Sequence, residues 1–182
     1  VGQVEDDASM RLGTSDVQTN LGLLQRARAE NPDACLLWKP HPDVEAGLRS
    51  GAVDEREVAE LADVTLNAVG AAEALAVADE VWTLTSTLGF EALLRDIPVT
   101  CLGMPFYAGR GLTRDLVARP AHRTGHDVSL EALAHACLIG YPRYFDPGSG
   151  APISPEAALH LLATGIDLPP VNKLMAWIRS IF

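Results

Sequence analysis

The sequence predicts an α/β protein built on a Rossmann-like parallel sheet with helices on both faces. Segments with helical spacing of apolar residues alternate with short strand-like runs along most of the chain. Those runs are continuously apolar rather than alternating, which is typical of strands buried on both faces. With 182 residues, of which 48% are hydrophobic, the chain is also long enough to bury a core of its own.

The first part of the chain supplies three helices and two strands. Ser15 or Asp16 can cap a helix whose apolar positions repeat at helical spacing until the Asn31-Pro32 pair ends it. Beyond this helix we predict a buried strand at 34–38, a helix at 54–63, a brief strand at 64–67 and a helix at 71–78.

The second part continues the alternation. Residues 80–86 are rich in β-branched and aromatic side chains and read as a strand, and a helix at 87–96 follows after a polar turn. We then predict a strand at 97–103, a glycine-rich loop at 103–115, helices at 129–140 and 155–164, and a separate C-terminal helix at 166–182. The resulting domain hypothesis is one lobe over 1–165 followed by that last helix.

Charge and composition exclude some classes of function. The net charge is −10 with no basic block, so nucleic acid is not an expected partner. No apolar run approaches the length that spans a bilayer. Val1 follows no leader-like segment, and we interpret the chain as a piece of a longer cytoplasmic protein. We expect Cys35 and Cys101, both in apolar runs, to be reduced core thiols.

The stretch KPHP directly follows the first predicted strand. Pro40 and Pro42 restrict the backbone on both sides of His41, which limits the positions that its imidazole can take. Beside Lys39, such a histidine could donate to a phosphate oxygen or protonate a leaving phosphate. The alternative is a surface turn in which Lys39 lies along the surface and His41 packs on a neighbour.

The stretch TSTLGFE follows the strand at 80–86. Ser86 and Thr87 stand where a helix begins, and their hydroxyls could hold an anion there, while Gly89 would permit a ligand to approach closely. Glu91, one turn further, could accept hydrogen bonds from the hydroxyls of a ribose. The alternative is an ordinary capped helix whose Glu complements the first turn.

Three adjacent carboxylates, Glu5, Asp6 and Asp7, stand near the start of the chain. Such a cluster is either solvated or held in a site, where a member could act as general base, nucleophile or acceptor for sugar hydroxyls. They could also simply cap the following helix. A D-x-D pattern for a nucleotide-bound metal is absent, so we predict no metal and no cofactor.

The loop GMPFYAGRGLTRD combines three glycines with two aromatic residues and two arginines. Phe106 and Tyr107 could cover a sugar or base, and Arg110 and Arg114 could meet a carboxylate or phosphate. The alternative is an ordinary connection anchored by Phe106.

Five blocks in this order carry a family resemblance: GQVEDDAS, KPHPDV, ADEVWTLTSTLGFEALL, PVTCLGMPFYAGRGLTRD and YPRYFDPGSG. Together, from Gly2 to about Ala157, they resemble the KpsC-type capsule polysaccharide biosynthesis proteins. That resemblance implies a retaining β-Kdo glycosyltransferase of the GT-B kind, of which this chain would be the C-terminal, nucleotide-binding lobe of one module. The implied donor is CMP-Kdo and the implied acceptor a growing β-Kdo linker on phosphatidylglycerol.

The resemblance also implies residue roles. His41 matches the His-Pro motif of CMP-sugar transferases, Ser86 and Thr87 match a hydroxyl pair near the donor phosphate, and Glu91 matches a ribose-binding position. The implied catalytic residues are Glu5, Asp6, Asp7 and His41, and the implied donor-binding residues are Lys39, His41, Ser86, Thr87, Gly89 and Glu91.

For the longer protein the resemblance implies a preceding acceptor lobe, onto which the helix at 166–182 would pack. Without that lobe we expect this piece to be inactive in transfer, with a helix stripe free for dimerisation. Capsule biosynthesis and export proteins would be partners at the cytoplasmic face of the inner membrane. Two alternatives stay open: an epimerase-like enzyme acting on a UDP-sugar, and a nonenzymatic docking module of the export machinery.

Overall fold

The structure, a computed structural model, describes residues 1–165 of the chain. It divides into two compact units, one over residues 1–130 and a second that begins at Glu131. The first unit is an α/β structure with parallel strands, which confirms the predicted fold class. The proposed C-terminal helix at 166–182 lies outside the described residues.

Parallel pairing organises the five strands of the first unit, which are β1 (Leu37–Trp38), β2 (Val64–Thr65), β3 (Val81–Thr83), β4 (Val99–Cys101) and β5 (Arg114–Asp115). β1 pairs with β2, and β4 lies between β3 and β5. The extended segment at the start of the chain lies between these two sheets. Gly2 N donates to the carbonyl of Lys39 after β1, and the nitrogen of Val1 lies 2.9 Å from the carbonyl oxygen of Trp82 in β3.

The helices of the first unit are α1 (Ala8–Gly13), α2 (Asn20–Glu30), α3 (Pro42–Glu45), α4 (Glu55–Leu61), α5 (Ala71–Leu75) and α6 (Leu88–Leu93). Four begin at a residue whose side chain accepts a backbone N–H, namely Asp7, Thr19, His41 and Asp54. The prediction that Ser15 or Asp16 starts α2 was wrong, because Thr19 provides the cap. The sequence prediction also lacked α1 and α3.

One apolar cluster fills the space between the helices and strands. It contains Met10, Leu23, Leu24, Trp38, Val58, Leu84 and Leu102. Leu84 and Leu102 directly follow β3 and β4, so the loops after these strands begin at a buried leucine. Burial of this kind restricts how far the chain can move just before it reaches the surface.

The second unit contains a short antiparallel ribbon. β6 (Tyr144–Phe145) pairs with β7 (Pro152–Ile153), and α8 (Pro155–Thr164) follows with Ser154 as its cap. α8 agrees with the predicted helix, whereas the ribbon falls in a segment that carried no strand prediction. The predicted helix at 129–140 is α7 (Leu130–His135), continued by a π-helical turn. Between residues 1 and 165, no helix is both long and apolar enough to cross a membrane.

The three cysteines are all free, and they differ in exposure. Cys101 lies in β4 and is fully buried, as predicted, whereas the prediction of a buried Cys35 was wrong because its side chain is exposed. Burial raises the pKa of the Cys101 thiol to about 12, so at neutral pH it is not the reactive thiolate.

We therefore expect a thiol reagent such as DTNB at pH 8 to label Cys35 in the native chain and to leave Cys101 unreacted. Unfolding in guanidinium should release Cys101. The variant Cys35→Ser should lose the fastest phase of labelling, and retention of that phase would contradict the assignment of Cys35 as the accessible thiol.

Candidate functional site

A surface cleft of about 760 Å³ opens in the first unit. Four segments line it: residues 3–13, residues 41–49, the loop at 85–87 and the loop at 104–106. The last three follow β1, β3 and β4. Ligands in parallel α/β sheets bind beyond the carboxyl ends of the strands, and this cleft occupies that position.

Of the three acidic residues near the start of the chain, Asp7 alone lines the cleft. It caps α1, and its Oδ2 accepts from the backbone nitrogen of Ser9 at 3.0 Å and from the Ser9 hydroxyl at 2.6 Å. These hydrogen bonds hold the pKa of the Asp7 carboxyl below its usual range. Asp7 is therefore ionised at neutral pH and its position is fixed.

Glu5 and Asp6 have other partners. Glu5 Oε1 accepts from the backbone nitrogen of Asn20 at 2.6 Å, which ties the first segment to the start of α2. Asp6 Oδ1 accepts from Arg49 Nη2 at 3.0 Å, and this bond lowers the pKa of the Asp6 carboxyl. The structure thus separates the three carboxylates, and Glu5 and Asp6 do not line the cleft.

His41 lines the cleft as the N-cap of α3, with Pro42 in the first turn of that helix. Its Nδ1 accepts from the backbone nitrogen of Asp43 at 3.1 Å. Because Nδ1 is the acceptor, the neutral imidazole carries its proton on Nε2. Nε2 is then the ring atom that can donate to a ligand.

Lys39 is directed elsewhere. Its side chain is only 6% exposed, and it lines a separate cavity of about 370 Å³ together with apolar residues such as Leu23, Trp38 and Trp82. The sequence hypothesis placed Lys39 beside His41 at one ligand. The structure does not bring the two residues to the same cavity.

Ser86 and Thr87 both line the cleft. The carbonyl oxygen of Ser86 accepts from the hydroxyl of the fully buried Tyr107 at 2.6 Å, and this bond anchors the loop at 85–87 to the protein interior. The Ser86 hydroxyl accepts from the backbone nitrogen of Leu88, and Thr87 is exposed with no side-chain cap bond. The Thr87 hydroxyl can therefore reach a ligand without giving up a bond within the helix.

Gly89 and Glu91 do not line the cleft. A Cβ at Gly89 would stand 2.1 Å from the Tyr107 hydroxyl oxygen, so the structure itself requires glycine there for packing. Glu91 lies two residues further along α6, where its backbone carbonyl accepts from the Arg95 side chain. Their predicted contacts with a ligand remain predictions.

Sequence reasoning missed two residues that shape the cleft, Gln3 and Arg49. Gln3 is buried, and its side chain makes two bonds with Thr85: Oε1 accepts from Thr85 N at 2.7 Å and Nε2 donates to Thr85 Oγ1 at 3.0 Å. Arg49 reaches the cleft from the loop after α3. The only signal for Arg49 in the sequence is its place shortly after KPHPD.

Phe106 contributes an aromatic wall to the cleft, and 39% of it is exposed. It packs edge-on against Phe90 and Tyr107, each with ring centroids 5.2 Å away. Arg110 and Arg114 of the same predicted loop do not line the cleft. Arg114 lies in β5, pairs with Glu30 and stacks over Trp82.

Residues 1–144 match the model of the family described as capsule polysaccharide biosynthesis protein. The chain belongs to this family. Among curated relatives, it is 45% identical over 161 residues to the capsule polysaccharide modification protein LipA of Neisseria meningitidis serogroup B. It is 40% identical over 163 residues to the lipopolysaccharide-processing protein LpsZ of Rhizobium meliloti. These matches cover 88% and 90% of this chain.

Two solved structures of KpsC from Thermosulfurimonas dismutans have the same fold as this capsule family chain. The β-Kdo 2,7 transferase is 40% identical with a TM-score of 0.79, and the match covers 90% of this chain and 51% of the other. The β-Kdo 2,4 transferase is 34% identical with a TM-score of 0.74, covering 88% and 50%. The chain therefore has the fold of one lobe of a Kdo transferase.

The chain spans about half the length of these two transferases. It spans 23% of LipA and 37% of LpsZ.

Proposed function

We propose that this chain is the donor-binding lobe of a glycosyltransferase that moves Kdo from CMP-Kdo to a lipid-linked β-Kdo acceptor. The observation that carries the proposal is the cleft beyond the parallel strands, which gathers Asp7, His41, Ser86 and Thr87. Similarity to two Kdo transferases over about nine tenths of the chain supports the choice of sugar.

The phosphate of the donor would lie between His41 on one wall and Ser86 and Thr87 on the other. His41 Nε2 and the hydroxyls are neutral donors, and hydrogen bonds from them to a charged oxygen are stronger than bonds between neutral groups. The Nε2–H bond would also stabilise the negative charge that develops on the phosphate as CMP departs. Phe106, backed by two aromatic rings, offers a flat face to a base or sugar.

Asp7 would face the sugar. Two successive inversions at the anomeric carbon give transfer with retention, and an ionised carboxylate can perform the first displacement. In that step Asp7 attacks the anomeric carbon and the bond to CMP breaks. The acceptor hydroxyl then displaces Asp7 and loses its proton to a base.

Binding of the acceptor concerns the longer protein of which we interpret this chain as one part. We propose that the acceptor is a growing β-Kdo linker on phosphatidylglycerol, bound at the inner face of the membrane with other capsule biosynthesis and export proteins. Family membership supports the capsule role. The length of the relatives, about twice that of this chain for the KpsC structures, supports a contribution from residues outside it.

The test is titration of the chain with CMP, followed by calorimetry or by NMR. We expect saturable binding that is weakened roughly tenfold or more in His41→Ala, because a hydrogen bond to a charged group is worth about 1.5–3 kcal/mol. Ser86→Ala should weaken binding less. His126→Ala, which removes an exposed histidine away from the cleft, is the matched control.

Tight CMP binding that survives both His41→Ala and Ser86→Ala would contradict the site. A preference for UDP over CMP would favour a UDP-sugar enzyme instead. No response to either nucleotide would favour a docking module.

A further inference from the structure

Arg49 is the single permanent cation among the described residues that line the cleft. The other ionisable groups there are His41, Asp7 and Asp43, and the whole chain carries a net charge of −10. An anionic ligand therefore approaches a protein that repels it overall. Among these groups, Arg49 is the one whose permanent positive charge can attract such a ligand.

The guanidinium of Arg49 is held by one ion pair and still reaches solvent. One amino group, Nη2, donates to Asp6 Oδ1 at 3.0 Å, and 40% of the side chain is exposed. A guanidinium has five N–H donors in a fixed planar fork, so the bond to Asp6 leaves donors for a second partner. Asp6 thus orients the fork without using all of it.

The loop that carries Arg49 is fixed on both of its sides. Before it, the carbonyl of Asp43 accepts from the backbone nitrogen of Arg49 at 3.2 Å. After it, the carbonyls of Ser50 and Gly51 accept from Glu5 N and from Asn20 Nδ2. Gly51 has φ +124°, and a Cβ there would lie 2.6 Å from the carbonyl oxygen of Gln3, so the loop passes at close range to the buried first segment.

We infer that Arg49 is a ligand-binding residue that pairs with an anionic oxygen group of the donor, and that Asp6 positions it. This inference rests on the proposed function and adds to it the residue that selects an anionic sugar nucleotide. Two groups on CMP-Kdo have the required chemistry, the phosphate and the carboxylate of the sugar acid. Both offer paired oxygens that match the guanidinium fork.

The experiment compares Arg49→Gln with the wild-type chain in NMR titrations with three probes: CMP, free Kdo and cytidine. Cytidine has neither anionic group and sets the baseline. Arg26→Gln is the matched control, because it also removes one exposed, ion-paired arginine and shifts the net charge equally, but lies on α2 away from the cleft.

If Arg49 pairs with phosphate, Arg49→Gln should weaken CMP binding about tenfold and leave cytidine unchanged. If it pairs with the carboxylate, Kdo binding should fall by a similar factor and CMP binding should persist. In either case Arg49→Lys should retain part of the affinity, and higher ionic strength should reduce the difference between variant and wild type.

Equal affinities of Arg49→Gln and wild type for both CMP and Kdo would overturn the inference and leave the proposed function standing. An equal loss in Arg26→Gln would overturn it as well, because general charge would then explain the effect. A wild-type chain that binds neither probe would contradict both the inference and the proposed function.

Discussion

Replacing Gly89 with alanine should destabilise the chain by about 3 kcal/mol, although alanine is normally the better helix former by about 1 kcal/mol. Gly89 lies within α6, and an added Cβ would meet the Tyr107 hydroxyl oxygen at 2.1 Å and its Cζ at 2.7 Å. Tyr107 is fully buried, so its ring has no free space to enter. Overpacking against a fixed ring therefore outweighs the gain in helix propensity.

The same change should disturb the cleft. Moving Tyr107 breaks its bond to the Ser86 carbonyl, which supports the loop of Ser86 and Thr87. Thermal unfolding should show a drop in Tm of roughly 6–12 °C for a chain of this size, and CMP affinity should fall in the remaining folded protein. Gly148→Ala is the control, because a Cβ added there would meet its nearest neighbour, Asp146 Oδ1, at 3.5 Å, an ordinary contact distance. An unchanged or raised Tm in Gly89→Ala would contradict the packing described for Tyr107.

Asn20→Leu should have a comparable effect through lost hydrogen bonds. Asn20 is 1% exposed, and its side chain joins two segments. Oδ1 accepts from Gln3 N, and Nδ2 donates to the carbonyls of Gln3 and Gly51, all at 2.7–2.9 Å. A leucine would leave these three backbone groups without that partner, and each unsatisfied buried group costs about 1–3 kcal/mol. We expect at least about 3 kcal/mol of lost stability, measured by urea denaturation.

The variant Asn20→Asp distinguishes the bond that Asn20 Oδ1 accepts from the two bonds that Nδ2 donates. It keeps the acceptor for Gln3 N but sets a carboxylate oxygen against the two carbonyls that Nδ2 supplied. The loop that carries Arg49 and ends at Gly51 should then loosen, so anion binding should weaken along with stability. Asn67→Leu at an exposed position controls for the loss of an asparagine. A stability of Asn20→Leu within about 1 kcal/mol of wild type would show that water replaces these bonds.

β3 and β4 could be predicted from the sequence because their largely buried residues are apolar or β-branched. β5 (Arg114–Asp115) could not, because its two charged residues stand in the predicted glycine-rich loop. Helix starts were less predictable. Ser15, Asp16 and Thr19 are all capable caps, and which one is used depends on tertiary contacts. α1 escaped prediction because its six residues bury only Met10, which leaves no periodicity to detect.

Part of the site could also be predicted. His41, Ser86 and Thr87 follow strands, and the fold brings the carboxyl ends of those strands to one cleft. The direction of Lys39 could not be predicted, since a side chain's direction just after a strand depends on the turn that follows. The place of Arg49 depends on bonds from Asn20 and Glu5, which are distant in sequence.

The paired bonds between Gln3 and Thr85 have a mechanical consequence. They join the segment that carries Asp7 to the loop that carries Ser86, and Asn20 joins that same segment to the loop of Arg49. Three walls of the cleft therefore move as one block, and a ligand meets groups whose spacing is already set. Folding already orders these three segments. Ligand binding should therefore cost little further conformational entropy of the chain.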